Sequence, residues 1–286
     1  MARLCMVVVS LLLVGVTSGC VTSDTLIKLN RDGSGIVIQK TLMSSEMVSQ
    51  LAYMMQEIGK QVTGNEPAER QAKEPEFFSE KDARARAAKM GVGVRFVSSR
   101  KIASAGMEGQ EATYTFRDVT QLRLSQKPEA PSIDGPQPNS TATASEATFR
   151  FSKLPNGHSP LAAVLASPGS RSQRTTPKDL EVTPSGALKS PTAEQLEQAK
   201  KLFAGLRISM AVEVQGRIVK TNSVYQEGAK VTLLEMDFSE LLSNDAMLQQ
   251  VAAIKGQNLE EAKELLKGLR GFKINLDPEI QIEFSE

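Results

Sequence analysis

Two stretches limit what this chain can fold into. Ser125 to Ser145 and Pro155 to Pro191 are rich in Pro, Ser, Thr and Ala. Segments of that composition cannot bury enough apolar surface to offset the entropy of ordering them. They read as flexible insertions at 125–145 and 155–191, separated by the strand Glu146 to Leu154 with its Phe149 and Phe151. Weak strands at Leu161–Leu165 and Leu180–Val182 lie inside the second insertion. Roughly 200 residues then remain for one folded domain. With 40% hydrophobic and 23% charged residues, the 286-residue chain as a whole is not of the disordered class.

The N-terminus reads as an address. Arg3 precedes an apolar run from Cys5 to Val16, and Thr17-Ser18-Gly19 leads into Cys20. The run falls short of the roughly 20 apolar residues that span a bilayer, so residues 1–19 form a cleaved signal peptide. Small residues directly before a Cys resemble the bacterial lipobox. There the thiol takes a diacylglycerol, the signal is cut just before the Cys, and the new amine usually receives an acyl chain such as palmitate. Thr17 stands where that pattern usually has Leu. The alternative, an ordinary secretory signal, leaves Cys20 as a free thiol in an oxidising compartment. The expectation is a lipoprotein of the cell envelope, held on its membrane by Cys20 and facing the periplasm or exterior. Val21 stands where an inner-membrane retention signal would place Asp, which favours an outer membrane where one exists.

Processing changes the arithmetic. The full chain has 34 Lys and Arg against 33 Asp and Glu, and the signal removes Arg3 alone, leaving a formal charge of zero. Nothing here has the clustered positive face of a nucleic-acid binder. Cys5 leaves as well, so Cys20 is the one remaining cysteine, and neither a disulfide within the chain nor a Cys-rich metal site can form.

The mature chain, 20–286, reads as a single α+β domain. Its expected form is a twisted antiparallel sheet packed by amphipathic helices, with the long flexible insertions within it. Thr25–Asn30 and Gly35–Lys40 flank Asp32-Gly33, a strong signal for a hairpin with a type I′ turn. Ser44 or Ser45 caps a helix to about Val62 that aligns Met47, Leu51, Met54, Met55 and Ile58 on one face. Those side chains pack on the sheet or form the wall of a cavity for an apolar ligand. Ser79 with Asp82 starts a second helix, Glu80 to Met90, apolar at Ala83, Ala87 and Met90; its Lys and Arg residues read as a solvated face. Val94–Ile102 and Glu111–Val119 form another antiparallel pair around Ala105-Gly106, with Tyr114 and Phe116 on one face. Thr192 caps a helix to about Ala204. Leu206–Val214 is a strand that Gly216–Asn222 continues and Ala229–Asp237 pairs back against. Helices over Phe238–Ile254 and Leu259–Leu269 precede a closing strand, Phe272–Phe284, which places both termini near one sheet.

Cys20, the hairpin around Asp32-Gly33-Ser34-Gly35, and Val214–Asn222 with the returning strand at Val231 together resemble bacterial envelope lipoproteins, most nearly the LppM-like lipoproteins. In that family a proline-glycine-basic-valine strand with a later Asn-Gly precedes a strand ending in Trp. Here Gln215 replaces the proline and Ser223 the glycine, and the chain has no Trp. The resemblance implies an α+β domain with a lipid-accommodating cavity.

Catalytic chemistry is scarce. His158, the sole histidine, sits in the turn Leu154-Pro155-Asn156-Gly157-His158-Ser159-Pro160, where a general base lacks an obvious orienting partner. Glu260-Glu261 and Glu235 with Asp237 fall on an exposed helix face or an edge turn. No residues assemble a metal site, and no cofactor is implied. The reading is a non-catalytic binding module for a lipid or other apolar ligand. The alternative is a structural or partner-docking lipoprotein of an envelope assembly, using Leu241, Leu242, Leu248 and Val251. A carboxylate-only hydrolase stands a distant third.

Overall fold

The computed structural model describes residues 21–49, 52–53, 78–104, 106–126, 146–154, 158–165, 205–239, 243, 271–275, 277 and 279–286. Strands dominate them, and they belong to two sheets that share one core. This overturns the expected α+β arrangement of one helix-packed sheet. The physical reason lies in the alternation: strands of both sheets turn an apolar face inward, so each sheet is the main cover for the other.

The first sheet contains β1 (Val21–Leu29), β2 (Gly35–Ser44), β3 (Arg95–Ser104), β4 (Met107–Phe116), β8 (Arg207–Val214), β10 (Gln226–Glu227), β11 (Lys230–Asp237) and β12 (Phe272–Ile274). Its order is β10-β11-β8-β1-β2-β4-β3, with β12 beside β11. The second contains β5 (Arg123–Ser125), β6 (Glu146–Phe151), β7 (Ser159–Leu165), β9 (Arg217–Thr221) and β13 (Glu279–Ser285), in the order β5-β6-β7-β13-β9. Inner residues of the first sheet, such as Ile27, Val37, Tyr114, Phe116 and Val212, join Phe149, Leu161, Ile280, Ile282 and Phe284 of the second in one buried cluster.

Several sequence expectations hold. β3 and β4 pair with Ser104 opposite Met107, and Gly106, just before Met107, has φ 76°. Helix α1 (Glu80–Lys89) starts at Ser79, whose Oγ accepts from the Asp82 amide at 3.1 Å, and buries Ala83 and Ala87. Ser44 Oγ likewise accepts from the Met47 amide at 3.2 Å, capping the helical residues 45–49.

Four details differ. The Asn30–Ser34 connection has three central residues: the Gly33 amide donates to Asn30 O at 3.1 Å and the Asn30 amide to Ser34 O at 2.8 Å. With Gly33 at φ 86°, this is a type I turn closed by a left-handed glycine, not a type I′ turn. The sheet is also not wholly antiparallel, because β1 and β8 run parallel, Thr22 opposite Arg207 through Leu29 opposite Val214. Such a long connection between them permits that crossover, which a hairpin could not make. Residues 217–221 do not continue β8 in its sheet: the chain turns at Gly216 (φ 124°) and enters the second sheet as β9. The closing run divides in the same way, β12 lying in the first sheet and β13 in the second, so the first and last strands sit in different sheets.

β7 occupies part of the stretch with insertion-like composition, yet it lies between β6 and β13 in the second sheet. Leu161 and Ala163 are buried there. The expected helices over Thr192–Ala204 and Leu259–Leu269, and nearly all of that over Phe238–Ile254, lie outside the described residues, as do 127–145 and 166–204.

Candidate functional site

The second sheet turns its inner residues to the core, so period-two alternation sends their neighbours to the other face. On β6 that face carries Arg150, on β7 Pro160 and Ala162, and on β13 Gln281 and Glu283. β9 reaches the same face by a different device. Ile218 is in the core, and in a regular strand Lys220 would share its side. Instead Phe284 lies opposite Ile218 while Glu283 lies opposite Lys220, so Val219 is an extra bulged residue. The bulge turns Lys220 outward, a use of bulges common beside binding sites.

Together these strands line a concavity of about 550 Å³, bounded by Arg150, Ser152, Lys220, Asn222, Gln281 and Glu283, with Phe151 and Pro160 adding apolar surface. Its volume falls within the roughly 300–1,000 Å³ typical of ligand sites. Cross-strand contacts hold its shape. Arg150 Nη1 lies 3.2 Å from Glu279 Oε2, and His158 Nδ1 lies 2.5 Å from Glu283 Oε1. Asn222 is a clamp: its Nδ2 donates to Asp277 Oδ2 and Glu279 O, both at 3.0 Å, and its Oδ1 accepts from the Gln281 amide at 2.8 Å. Thr221 Oγ1 donates to Gln281 O at 2.7 Å. Lys220 is exposed and has no ion pair among the described residues. The surface therefore offers one uncommitted cation, amides and hydroxyls, and two carboxylates already engaged by a neighbour.

The sequence-selected residues fare differently. Cys20 lies just outside the described residues, and Val21 opens β1. Met47 is half-buried, while Leu51, Met54, Met55 and Ile58 lie outside, as do Leu241, Leu242, Leu248, Val251 and the Glu260-Glu261 pair. His158 does have the orienting partner that its loop position seemed to deny it, Glu283 across the sheet. Glu235 lies within β11, between Arg207 Nη2 at 3.2 Å and Lys273 Nζ at 3.1 Å. Its hydrogen bond to Lys273 raises the lysine's pKa against the opposing effect of desolvation. No group of three or more metal-ligating side chains occurs among the described residues. No described helix is long and apolar enough to cross a membrane.

Arg150, Lys220, Gln281 and Glu283 escape sequence reading. Their only signal is to be the polar neighbours of apolar strand residues, a property shared with every half-buried strand in the chain.

No family model matches the chain, and no curated protein matches it. Among solved structures it is similar to the folded domain of the Mycobacterium tuberculosis LppM protein, determined by NMR. The TM-score is 0.32 at 7% identity, over 95% of this chain and 94% of that one. A likeness of that size is distant, and it leaves the function to be read from this chain's own residues.

Proposed function

We propose that this is a lipid-anchored protein of the cell envelope that binds rather than catalyses, and that the outer face of its second sheet is the binding site. The observation that carries the reading is the convergence of four strands on one concavity, with the bulge at Val219 delivering Lys220 to it. Glu279 is paired with Arg150 and Glu283 with His158. Those pairings support recognition by a fixed polar surface, with Lys220 as the cation that meets an acidic group of the ligand.

Native mass spectrometry of the mature protein, purified from its own membranes, tests the site. A retained small molecule should lose at least tenfold in occupancy in the double variant Arg150→Ala, Lys220→Ala. Unchanged occupancy refutes the assignment. If the retained molecule is a phospholipid that these changes leave in place, the apolar wall at Met47, Leu51, Met54, Met55 and Ile58 becomes the better site. The anchor has its own test, since Cys20→Ser should release the protein from membranes.

A further inference from the structure

Resting on the lipid anchor at Cys20, we infer that the Val21 end of the first sheet lies against the bilayer and presents the concavity of the second sheet to the aqueous side. β1 begins at Val21, bonded directly to Cys20, so no spacer separates the acylated residue from the sheet. Register places its neighbours on the same rim: Val21 is opposite Met43, Thr22 opposite Arg207, Arg207 opposite Asp237, and Ser44 opposite Met107, which pairs with Ser104. Among the described residues, the membrane-facing edge is thus the one that carries Val21, Ser44, Ser104, Arg207 and Asp237.

Strand geometry then sets the height of the concavity. At about 3.3 Å per residue, Asn30 stands about 30 Å from Val21 along β1. That far end carries the second sheet. Gly33 lies against Phe151, Arg31 pairs with Glu286, Arg31 Nε donates to Gln215 O at 3.4 Å, and Gly216 abuts Ser285. Phe151 is itself part of the concavity. The opposite lip is fixed by Asn275, whose Nδ2 donates to Thr232 O at 2.9 Å. Thr232 pairs with Ala211, and Ala211 with Leu26. Leu26 is five residues beyond Val21, about 17 Å up the strand. Asp277, two residues past Asn275, holds Asn222 at that lip. Both lips therefore stand well above the acyl chains. The ligand is a molecule that arrives from water or from an opposing surface, and a lipid of the anchoring bilayer cannot reach the site while still embedded.

Because Cys20 is the only cysteine left after processing, single labelling sites can be introduced cleanly. Full-length Ser104→Cys and Ser152→Cys proteins, processed in a bacterial host, are labelled with a fluorophore. They are then reconstituted into phosphatidylethanolamine and phosphatidylglycerol vesicles carrying a headgroup-attached quencher. The Ser104→Cys probe should be quenched at least threefold more than the Ser152→Cys probe. Equal quenching in protein that remains vesicle-bound overturns the orientation while leaving the anchor intact. If a Cys20→Ser protein floats with the vesicles as the parent does, the anchor reading fails and the orientation with it.

Discussion

Gly216 is where the chain passes from β8 in the first sheet to β9 in the second, and its replacement by alanine tests whether that joint holds the second sheet in place. At φ 124° the backbone occupies a region that L side chains rarely adopt, a strain of about 1–3 kcal/mol for a non-glycine residue. A Cβ there would also stand 2.1 Å from the Ser285 carbonyl oxygen. Ordinary contact begins at 3.4 Å, so strand β13 must retreat by about 1.3 Å at its last residue. Ser285 pairs with Arg217, and losing that end of the ladder costs about 1 kcal/mol more. The sum is about 2–4 kcal/mol, a large share of the 5–15 kcal/mol typical of a folded domain. With no Trp to report, far-UV circular dichroism in urea is the suitable assay. At a slope of about 2 kcal/mol per molar, the midpoint should fall by about 1–2 M. Gly228→Ala is the control, since φ is 61° there and nothing lies within 4 Å of the added Cβ. It should cost about 1–2 kcal/mol from backbone strain alone. Equal losses in the two variants would show that the contact with β13 contributes nothing and refute the role given to the joint.

Phe284 is fully buried and stacks on Phe151 with ring centroids 6.4 Å apart, so Phe284→Ala should cost about 3–5 kcal/mol in the same assay; a loss below 1 kcal/mol would mean the two sheets do not share a core there. Deleting Val219 should close the bulge and leave Lys220, now directly after inward-facing Ile218, still outward opposite Glu283, so ligand retention should persist with the far-UV spectrum unchanged, whereas Lys220→Ala should abolish it; loss of retention in the deletion variant would refute the register given to Lys220. The Asp32 carboxyl lies below its ordinary value of 3.8, chiefly because the Ser34 hydroxyl, and then the Ser34 amide, donate to it. A carboxyl lowered by folding stabilises the turn above its unfolded pKa, and that contribution disappears as pH falls through the lower folded value. The stability difference between the parent and Asp32→Ala should therefore be constant from pH 7 to pH 5 and shrink below pH 4. A difference that does not change with pH would refute the carboxylate's part in the turn.

Local pattern carried far in this chain. Ser79 with Asp82 marked the start of α1, the alternation around Tyr114 and Phe116 marked β4, and Gly106 marked the hairpin. Each depends on neighbours within a few residues. The turn at Asp32-Gly33 was legible as a turn but not as to type, because the number of central residues depends on where β1 and β2 stop pairing. Polar and apolar strand residues were equally visible, yet nothing local distinguishes Arg150 and Glu283, which share a concavity, from Arg100 and Glu111, which form an ordinary surface pair in the first sheet.

What the sequence determined by itself is the inventory: an apolar N-terminal run followed by Cys20, no cysteine after it, and a set of strands with one apolar face each. Tertiary structure alone decided how they combine. A run such as Phe272–Phe284 alternates in the same way whether it lies in one sheet or two, and Gly216 reads as a strand interruption whichever sheet receives the chain next. Backbone hydrogen bonds are the same in every pairing, so partners are chosen by which apolar faces close one common core. That choice set β1 beside a parallel β8, covered the first sheet with the second, and left the outer face of the second sheet to line the concavity.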